Sequence, residues 1–363
     1  MIINLLYERV LIGQDALPKP TAHINDFAMD LLIDFLSRLV AQFQSPALAF
    51  LIGGMLLAAC GSKLQIPDAI YKFCVFMLLM RIGIQGGLEI REANLSEMLL
   101  PAVIAFVVGC GIVLIGRFVL AGLPGVRTED GIATAGLFGA VSASTLAAAL
   151  VMLEEQEIYF EAWVLALYPF MDIPALILAI LLANMFLARK KGTKREELRP
   201  MSIIVESLQS SALSALLLGL ALGLFTNPER VFDSFYDPLF RGFLSILMLT
   251  MGMEAWSRLH ELRRVAHWYI VYGAVAPLVH GLIAFGLGYI AHVLTGFSPG
   301  GVVLLAVMAG SSSDISGPPT LRAAIPTANP SSYIGSSTSI GTPVAIAIGI
   351  PLYIALAQVV FEL

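Results

Sequence analysis

Long apolar runs dominate this chain, and short polar stretches separate them. A helix needs about 20 mainly apolar residues to cross the hydrocarbon core of a bilayer. Windows of that kind predict spans near residues 45 to 62, 68 to 87, 98 to 120, 131 to 152, 162 to 188, 203 to 225, 238 to 256, 268 to 294, 301 to 324 and 332 to 361. The pattern therefore predicts an all-α polytopic membrane protein with about ten transmembrane helices.

The two halves of the chain repeat short patterns at an offset of about 170 residues. Residues 80–83 (Met-Arg-Ile-Gly) correspond to residues 249–252 (Leu-Thr-Met-Gly), and residues 172–175 (Asp-Ile-Pro-Ala) correspond to residues 341–344 (Gly-Thr-Pro-Val). An odd number of spans in each half makes the second half enter the membrane from the opposite side. We therefore predict two inverted five-helix repeats, an arrangement typical of secondary transporters.

This organisation divides the chain into four parts. The predicted parts are an N-terminal extension and interfacial segment (1–44), the first repeat (45–188), a basic linker (189–202) and the second repeat (203–363). No signal peptide is predicted in residues 1–28, because this stretch lacks a clear cleavage site.

Composition supports the membrane assignment. Hydrophobic residues make up 58% of the chain and charged residues 13%, with a mean hydropathy of +0.85, whereas soluble domains have roughly 25% charged residues. The net charge of −5 is spread over short loops, so no nucleic-acid partner is predicted. The three cysteines lie in apolar segments without metal-ligand spacing, and no disulfide is predicted.

Basic residues predict the orientation in the membrane. Residues 189–199 form the most basic loop of the chain, and Lys63, Arg127 and Arg322 lie on the same side when spans are counted alternately. Because short cytoplasmic loops carry an excess of Lys and Arg, this side is predicted to be cytoplasmic. Both termini are then predicted to lie on the non-cytoplasmic side.

Two predicted spans interrupt themselves with polar residues. These interruptions are residues 139–145 (Gly-Ala-Val-Ser-Ala-Ser-Thr) and 310–320 (Gly-Ser-Ser-Ser-Asp-Ile-Ser-Gly-Pro-Pro-Thr). Irregular backbone at membrane depth is tolerated only inside protein or beside a polar cavity. Paired interruptions are also a sequence signal for the substrate site of a secondary transporter. We therefore predict two broken helices that meet at the membrane midplane.

Helix ends and hydroxyls at such a crossing favour a small anion. Two helix N-termini that face each other provide N–H donors and positive potential without a buried Lys or Arg. The predicted anion-binding residues are Gly139, Ser142, Ala143, Ser144, Thr145, Ser311, Ser312 and Ser313. The alternative is close helix packing, since Gly, Ala and Ser also form tight membrane interfaces.

Two acids at membrane depth, Asp172 and Asp314, lie in the motifs Tyr-Pro-Phe-Met-Asp-Ile-Pro and Ser-Ser-Ser-Asp-Ile-Ser, which contain no Lys or Arg. A charged Asp at a helix centre costs about 2.5 to 3.5 kcal/mol on insertion scales, so each needs a partner. Sodium is a suitable counter-charge, because prolines nearby free backbone carbonyls that can complete an oxygen shell. We predict that sodium binds Asp172 and Asp314 together with Ser142 and Ser316. Proton coupling and purely structural capping remain alternatives.

Four strings of residues resemble the sodium-dependent bicarbonate transporters of cyanobacteria. They are residues 136–145 (Gly-Leu-Phe-Gly-Ala-Val-Ser-Ala-Ser-Thr), 153–156 (Leu-Glu-Glu-Gln), 168–175 (Tyr-Pro-Phe-Met-Asp-Ile-Pro-Ala) and 311–322 (Ser-Ser-Ser-Asp-Ile-Ser-Gly-Pro-Pro-Thr-Leu-Arg). The resemblance covers essentially residues 29–363. It implies Na⁺/HCO₃⁻ symport across the plasma (inner) membrane for inorganic carbon concentration, with no enzymatic activity.

The resemblance also implies an assembly. It implies a homotrimer with core and gate domains formed from both repeats, and a cytoplasmic trimeric PII-like regulator that binds adenine nucleotides and inhibits transport. The predicted docking residues on the cytoplasmic side are Arg189, Lys190, Lys191, Arg258, Arg263, Arg264 and Arg322. Without the resemblance, membrane topology alone accounts for these charges. Two other functions remain open: symport of another small anion or monocarboxylate with sodium, and intramembrane aspartyl proteolysis with Asp172 and Asp314 as the dyad.

Overall fold

The structure is a computed structural model that describes residues 46–92, 95–191, 209, 211–262, 267–314 and 317–363. Within these ranges all regular elements are helices. The predicted N-terminal extension (1–44) lies outside the described residues, as do residues 192–202 of the predicted linker. The all-helical prediction is therefore confirmed for the part of the chain that is described.

Thirteen helices carry the fold in the part of the chain that the structure describes, with short helical turns between some of them. They are α1 (Pro46–Ala59), α2 (Asp68–Glu92), α3 (Leu95–Phe118), α4 (Thr128–Gly139), α5 (Ala143–Glu155), α6 (Tyr168–Lys191), α7 (Ser211–Phe225), α8 (Asp237–Leu262), α9 (His267–Thr295), α10 (Pro299–Ala309), α11 (Gly317–Ala324), α12 (Pro330–Ser336) and α13 (Ile350–Val360). A 3₁₀ helix (Ala162–Leu167) precedes α6, and two π-helical turns (Ser337–Gly341 and Ala345–Gly349) connect α12 to α13.

Seven helical segments among the described residues are long and apolar enough to cross a membrane. They are Asp68–Leu88, Ser96–Gly122, Thr128–Glu155, Ala162–Leu187, Glu229–Ser257, His267–Thr295 and Pro330–Val360. Three shorter apolar helices overlap the other three predicted spans: Leu48–Ala59, Ser214–Phe225 and Pro299–Ala309. The chain is thus a multi-pass membrane protein, while the count of ten spans stays a prediction.

Burial differs between the outer helices and the interrupted ones. Val103, Phe106 and Val107 of α3 and Val275 and Val279 of α9 are each about half exposed, as expected for a surface that contacts lipid. In contrast, the most apolar window of Thr128–Glu155 is completely buried by protein. The interruption between α4 and α5 is therefore shielded from lipid, as irregular backbone at membrane depth requires.

Helices α1, α2, α7 and α8 form one packed group, in which α2 contacts α7 and α8, and α8 contacts α1. Glycines bring α2 and α7 together: Gly83 and Gly87 face Gly219 and Gly223. A Cβ at Gly83 would collide with a main-chain carbonyl of α7, and a Cβ at Gly219 would lie 2.7 Å from one of α2. Two glycines four residues apart on each helix thus permit backbone contact, as in membrane helix pairs that use small residues.

The remaining helices form a second group around the interrupted segments. Here α3 packs against α4 and α6, and α9 packs against α10. Helix α10 starts at a polar cap: the Ser298 hydroxyl accepts from the Gly301 N–H at 2.9 Å, and Pro299 occupies the first turn. Glu161 fixes this cap by accepting from the Ser298 N–H and hydroxyl at 2.9 and 2.5 Å. Short polar motifs therefore determine where this buried helix begins.

A buried arginine links the two groups. The sequence places Arg81 towards a span end and predicts a structural role for it, by reaching the interface or by pairing there; the structure buries it to 5% exposure in α2. Its guanidinium donates to the Asp237 carboxylate from Nε at 3.1 Å and from Nη2 at 2.7 Å. Nη2 also donates to Glu154 at the end of α5 at 3.3 Å, and the Phe240 ring lies 4.4 Å from the guanidinium carbon. Tertiary pairing thus compensates the charge of Arg81, although its Nη1 has no hydrogen-bond partner among the described residues.

Candidate functional site

The first interruption separates α4 from α5. Helix α4 ends at Gly139, and Ala140 and Ser142 are extended, with ψ of 152° and 119°. Ser142 caps α5, since its hydroxyl accepts from the Thr145 N–H at 3.2 Å and from the Thr145 hydroxyl at 3.0 Å. Ala143 is the first residue of α5 and is buried. The first turn of α5 therefore starts inside the protein, where its N–H groups have positive potential.

The second interruption separates α10 from α11. Helix α10 ends at Ala309, and the Ser311 hydroxyl donates back to the Met308 carbonyl at 2.8 Å. The Ser313 hydroxyl accepts from the Gly317 N–H, the first residue of α11, at 2.9 Å. Serines therefore satisfy helix-end groups on both sides of this interruption.

The two interruptions cross in direct contact. The Ser142 N–H donates to the Ser311 hydroxyl at 2.9 Å, and the Ser313 N–H donates to the Leu137 carbonyl at 2.8 Å. Each interrupted segment thus provides acceptors for the free N–H groups of the other. Predicted site residues that lie about 170 residues apart in the sequence are brought together here.

Asp314, from the second interruption, contacts the N-terminal turn of α5. Its carboxylate accepts from the Ser144 hydroxyl at 2.7 Å and from the Ser142 hydroxyl at 3.2 Å, and the two serine oxygens are 2.9 Å apart. Both serines are buried, and Asp314 is partly buried. Three oxygen-bearing side chains from two interruptions thus converge, and among the described residues no Lys or Arg pairs with this carboxylate.

Asp172 contacts the other side of the same interruption. Its Oδ1 accepts from the Val141 N–H at 2.9 Å. Tyr168, one turn earlier in α6, donates its hydroxyl to the Val141 carbonyl at 3.1 Å. Asp172 and Asp314 therefore both contact the first interruption, but within the described residues no hydrogen bond joins their carboxyl groups. They do not form the shared-proton dyad that an aspartyl protease requires.

Hydroxyls of the segment after α12 line the second interruption. The Ser337 hydroxyl donates to the Ser312 hydroxyl at 2.8 Å, and the Thr342 hydroxyl lies 3.4 Å from that of Ser312. All three residues are buried. Ser337 and Thr342 were not predicted from the sequence. The repeat offset is the signal that could have found them, since residues 341–344 align with the segment that contains Asp172.

Gly139 has close neighbours in the helix packing. A Cβ there would lie 2.8 Å from the Val113 side chain, 2.9 Å from the Gly109 carbonyl and 3.1 Å from the Ala175 side chain. Glycine at this position permits α4 to end against α3 and α6, so packing accounts for its missing side chain. The hydroxyl positions carry the polar chemistry of the crossing.

Several predicted residues lie outside what the structure describes. Ser316, a predicted sodium ligand, is one of them, as are Arg263 and Arg264. For Arg189, Lys190, Lys191 and Arg258 the structure describes the helical backbone and not the side chains. Arg322 is described at the surface, in α11. The regulator-docking surface therefore stays a prediction.

The chemistry of the crossing suits a cation with oxygen ligands and a small anion. No cluster of three or more His, Cys, Asp or Glu that could hold a metal ion occurs among the described residues. A sodium ion here would therefore depend on hydroxyl and backbone oxygens together with no more than two of these side chains, and oxygen atoms are hard ligands. Hydroxyls and helix-end N–H groups on the same interruptions are suitable donors for an oxyanion.

Comparison with known proteins supplies the family. The model of the Na⁺-dependent bicarbonate transporter superfamily matches residues 46–358, which include both interruptions. No curated protein matches the chain.

Proposed function

This chain belongs to the Na⁺-dependent bicarbonate transporter superfamily, and we propose that it binds sodium and bicarbonate where its two interrupted helices cross and carries both into the cell. Membership makes it a transporter and not an enzyme, with sodium and bicarbonate as its substrates. The observation that carries the location is the convergence of Ser142, Ser144 and Asp314 from the two interruptions.

Sodium is assigned to the Asp314 side of the crossing. The carboxylate supplies the charge, and Ser142 supplies a hydroxyl oxygen 3.2 Å from it. The assignment of Ser316 rests on the sequence pattern alone. Asp172 is assigned an auxiliary role, because one of its oxygens is already engaged by the Val141 N–H. Asp172→Asn is expected to weaken sodium dependence without removing it.

Bicarbonate is assigned to the hydroxyls and N–H groups around the starts of α5 and α11. Bicarbonate is a small anion that needs several donors around its oxygens and one acceptor for its own proton. Ser144 and Thr145 line the first interruption and Ser311, Ser312 and Ser313 the second. Positive potential at the N-termini of both helices offsets the charge of the anion. Ser144→Ala is expected to weaken bicarbonate binding tenfold or more, since a hydrogen bond to a charged group contributes about 1.5 to 3 kcal/mol.

The architecture assigned to the transport cycle is a pair of inverted five-helix repeats. Equivalent packing in the two halves supports this assignment: α3 lies on α4 as α9 lies on α10, and α1 lies on α8 as α7 lies on α2. A twofold relation that exchanges the halves would generate each contact from its counterpart. Helices α1, α2, α7 and α8 then correspond to the gate, and the remaining helices correspond to the core.

The proposal includes a homotrimer in the plasma membrane, with both termini outside, and a cytoplasmic PII-like regulator. The basic residues of the predicted cytoplasmic side supply the docking surface, of which Arg322 is exposed at the surface of α11. A pull-down from the soluble fraction of the host, with and without adenine nucleotides, tests this part. Recovery of no PII-like protein under any nucleotide condition would refute it without affecting the transport proposal.

Uptake into proteoliposomes tests the transport function. The purified protein is reconstituted, and labelled bicarbonate uptake is measured with an inward sodium gradient, with an equal potassium gradient and with a proton gradient alone. We expect accumulation only with sodium. Uptake driven by protons without sodium would contradict the assigned coupling. Stronger uptake of formate or acetate than of bicarbonate would instead support a sodium-coupled symporter of another small anion.

A further inference from the structure

The main-chain N–H and C=O of Val141, which belong to the two peptide units that flank this residue, are both bonded by one turn of α6. The N–H donates to Asp172 at 2.9 Å, and the carbonyl accepts from the Tyr168 hydroxyl at 3.1 Å. Val141, Tyr168 and Asp172 are each only 1% exposed. A buried peptide group without partners would cost several kcal/mol at membrane depth, so these two side chains replace the helical bonds that the interruption removes.

The held peptide directly precedes the proposed site. Ser142 follows Val141, and its main-chain N–H and its side chain are engaged by Ser311 and by Asp314. Rotation of the peptide between Val141 and Ser142 would therefore redirect the start of α5. It would also change the contacts of Ser142 with Ser311 and Asp314. Tyr168 touches neither proposed substrate, but it fixes the segment that does.

The second interruption has a comparable support at the position expected from the repeat. Ser337 follows Tyr168 by 169 residues, as Gly252 follows Gly83, and its hydroxyl donates to Ser312 at 2.8 Å. In both halves, a hydroxyl from the helical segment that follows the interrupted helix thus donates a hydrogen bond to that interruption. In the first half this hydroxyl belongs to a tyrosine and reaches the main chain.

We infer that Tyr168 is a positioning residue for the transport site. Together with Asp172 it holds the main chain at Val141, so that α5 begins in the binding-competent orientation. The inference rests on the proposed function. Loss of the Tyr168 hydroxyl adds competing orientations of the interruption, and the apparent affinity falls by the fraction of molecules that remain competent. A neutral hydrogen bond contributes about 0.5 to 1.5 kcal/mol, which corresponds to about a three- to tenfold change.

The test compares two tyrosine hydroxyl deletions in the full-length transporter. Tyr168→Phe removes the bond to Val141, whereas Tyr272→Phe removes a buried hydroxyl that has no hydrogen-bond partner among the described residues. Initial uptake rates are measured against sodium and against bicarbonate concentration. We expect Tyr168→Phe to raise the half-saturating concentrations about three- to tenfold, with a maximum rate within about twofold of wild type. We expect Tyr272→Phe to behave as wild type.

Two results would overturn the inference. One is an unchanged half-saturating concentration for both substrates in Tyr168→Phe, and the other is an equal change in both variants. A wild-type protein that takes up no bicarbonate with sodium would instead refute the proposed function. In that case, hydrogen exchange still tests the positioning role: Tyr168→Phe must accelerate exchange in a peptide covering residues 140–146, and Tyr272→Phe must not.

Hydrogen exchange also covers a Tyr168→Phe variant that is too unstable for uptake assays. The measurement is then made on the detergent-solubilised variant under conditions that retain its helix content. Acceleration confined to residues 140–146 and the contacting segment 311–314 is the expected result. Acceleration spread evenly over all helices would indicate a role in general stability and would overturn the inference.

Discussion

Replacement of Asp314 by Asn tests the sodium site with the smallest change in shape. The carboxylate accepts from the Ser144 hydroxyl at 2.7 Å and from the Ser142 hydroxyl at 3.2 Å. An amide keeps one oxygen that can accept from one of these hydroxyls. The variant is therefore expected to fold with the crossing intact, while the site loses its negative charge.

The lost charge determines the size of the effect. Two unit charges about 4 Å apart attract each other by about 4 kcal/mol at an effective dielectric constant of about 20. Since about 1.4 kcal/mol changes an equilibrium constant tenfold, sodium affinity should fall about a hundred- to a thousandfold, allowing for some coordination by the amide oxygen. Sodium-stimulated bicarbonate uptake by Asp314→Asn should then be abolished at sodium concentrations that saturate the wild type.

The assay is the initial rate of labelled bicarbonate uptake into proteoliposomes against sodium concentration. Asp68→Asn is the matched control, because it removes the same charge from an exposed ion pair with Lys72, whose Nζ lies 2.6 Å from the carboxylate. Surface pairs of this kind contribute little. Size-exclusion chromatography verifies that both variants fold. Wild-type sodium dependence in folded Asp314→Asn would refute the assignment of this carboxylate to the sodium site.

Three further substitutions test other contacts. Ser312→Ala removes a buried hydroxyl from the second interruption; bicarbonate affinity should fall about tenfold in uptake assays, and an unchanged affinity would place the anion elsewhere. Asp237→Ala should lower the melting temperature in detergent more than Glu154→Ala. The reason is that the buried Arg81 makes two hydrogen bonds to Asp237 and one to Glu154. A larger effect of Glu154→Ala would contradict this ranking. Gly219→Leu should sharply reduce the yield of folded protein, since its Cβ would lie 2.7 Å from a main-chain oxygen. Gly242→Leu is the control and should be tolerated, because the space around Gly242 is open. Equal yields of the two variants would argue against backbone contact between α2 and α7.

Sequence pattern was most informative where the bilayer alone dictates structure. The hydrophobic runs predicted helices that the structure describes within a few residues, for example 268 to 294 against His267–Thr295. Both interruptions were also predicted, because clusters of serine, glycine and proline within apolar runs break a helix at a depth where lipid cannot satisfy the backbone. The serines at positions 142, 144 and 311 and the acid at 314 were predicted as site residues, and hydrogen bonds in the structure connect them.

The sequence could not predict contacts that depend on where distant helices lie. In the sequence, Tyr168 is one aromatic residue in a motif with two prolines. Its hydrogen bond to the Val141 carbonyl follows from the placement of α6 beside the first interruption. Gly139 stays a predicted residue of the anion site, and in the structure its close neighbours belong to α3 and α6. A glycine gives the same sequence signal whether a ligand or another helix occupies the space beside it.

Arg81 shows most clearly which features follow from the sequence alone and which depend on the tertiary structure. The sequence by itself determined that this chain crosses a membrane and interrupts two of its helices, because lipid imposes length, polarity and backbone satisfaction on every segment locally. Only the tertiary structure decided which charges are paired: the guanidinium reaches Asp237, 156 residues away, and Glu154, 73 residues away. The physical reason is that a buried charge is compensated by proximity in space, and helix packing rather than sequence separation determines that proximity.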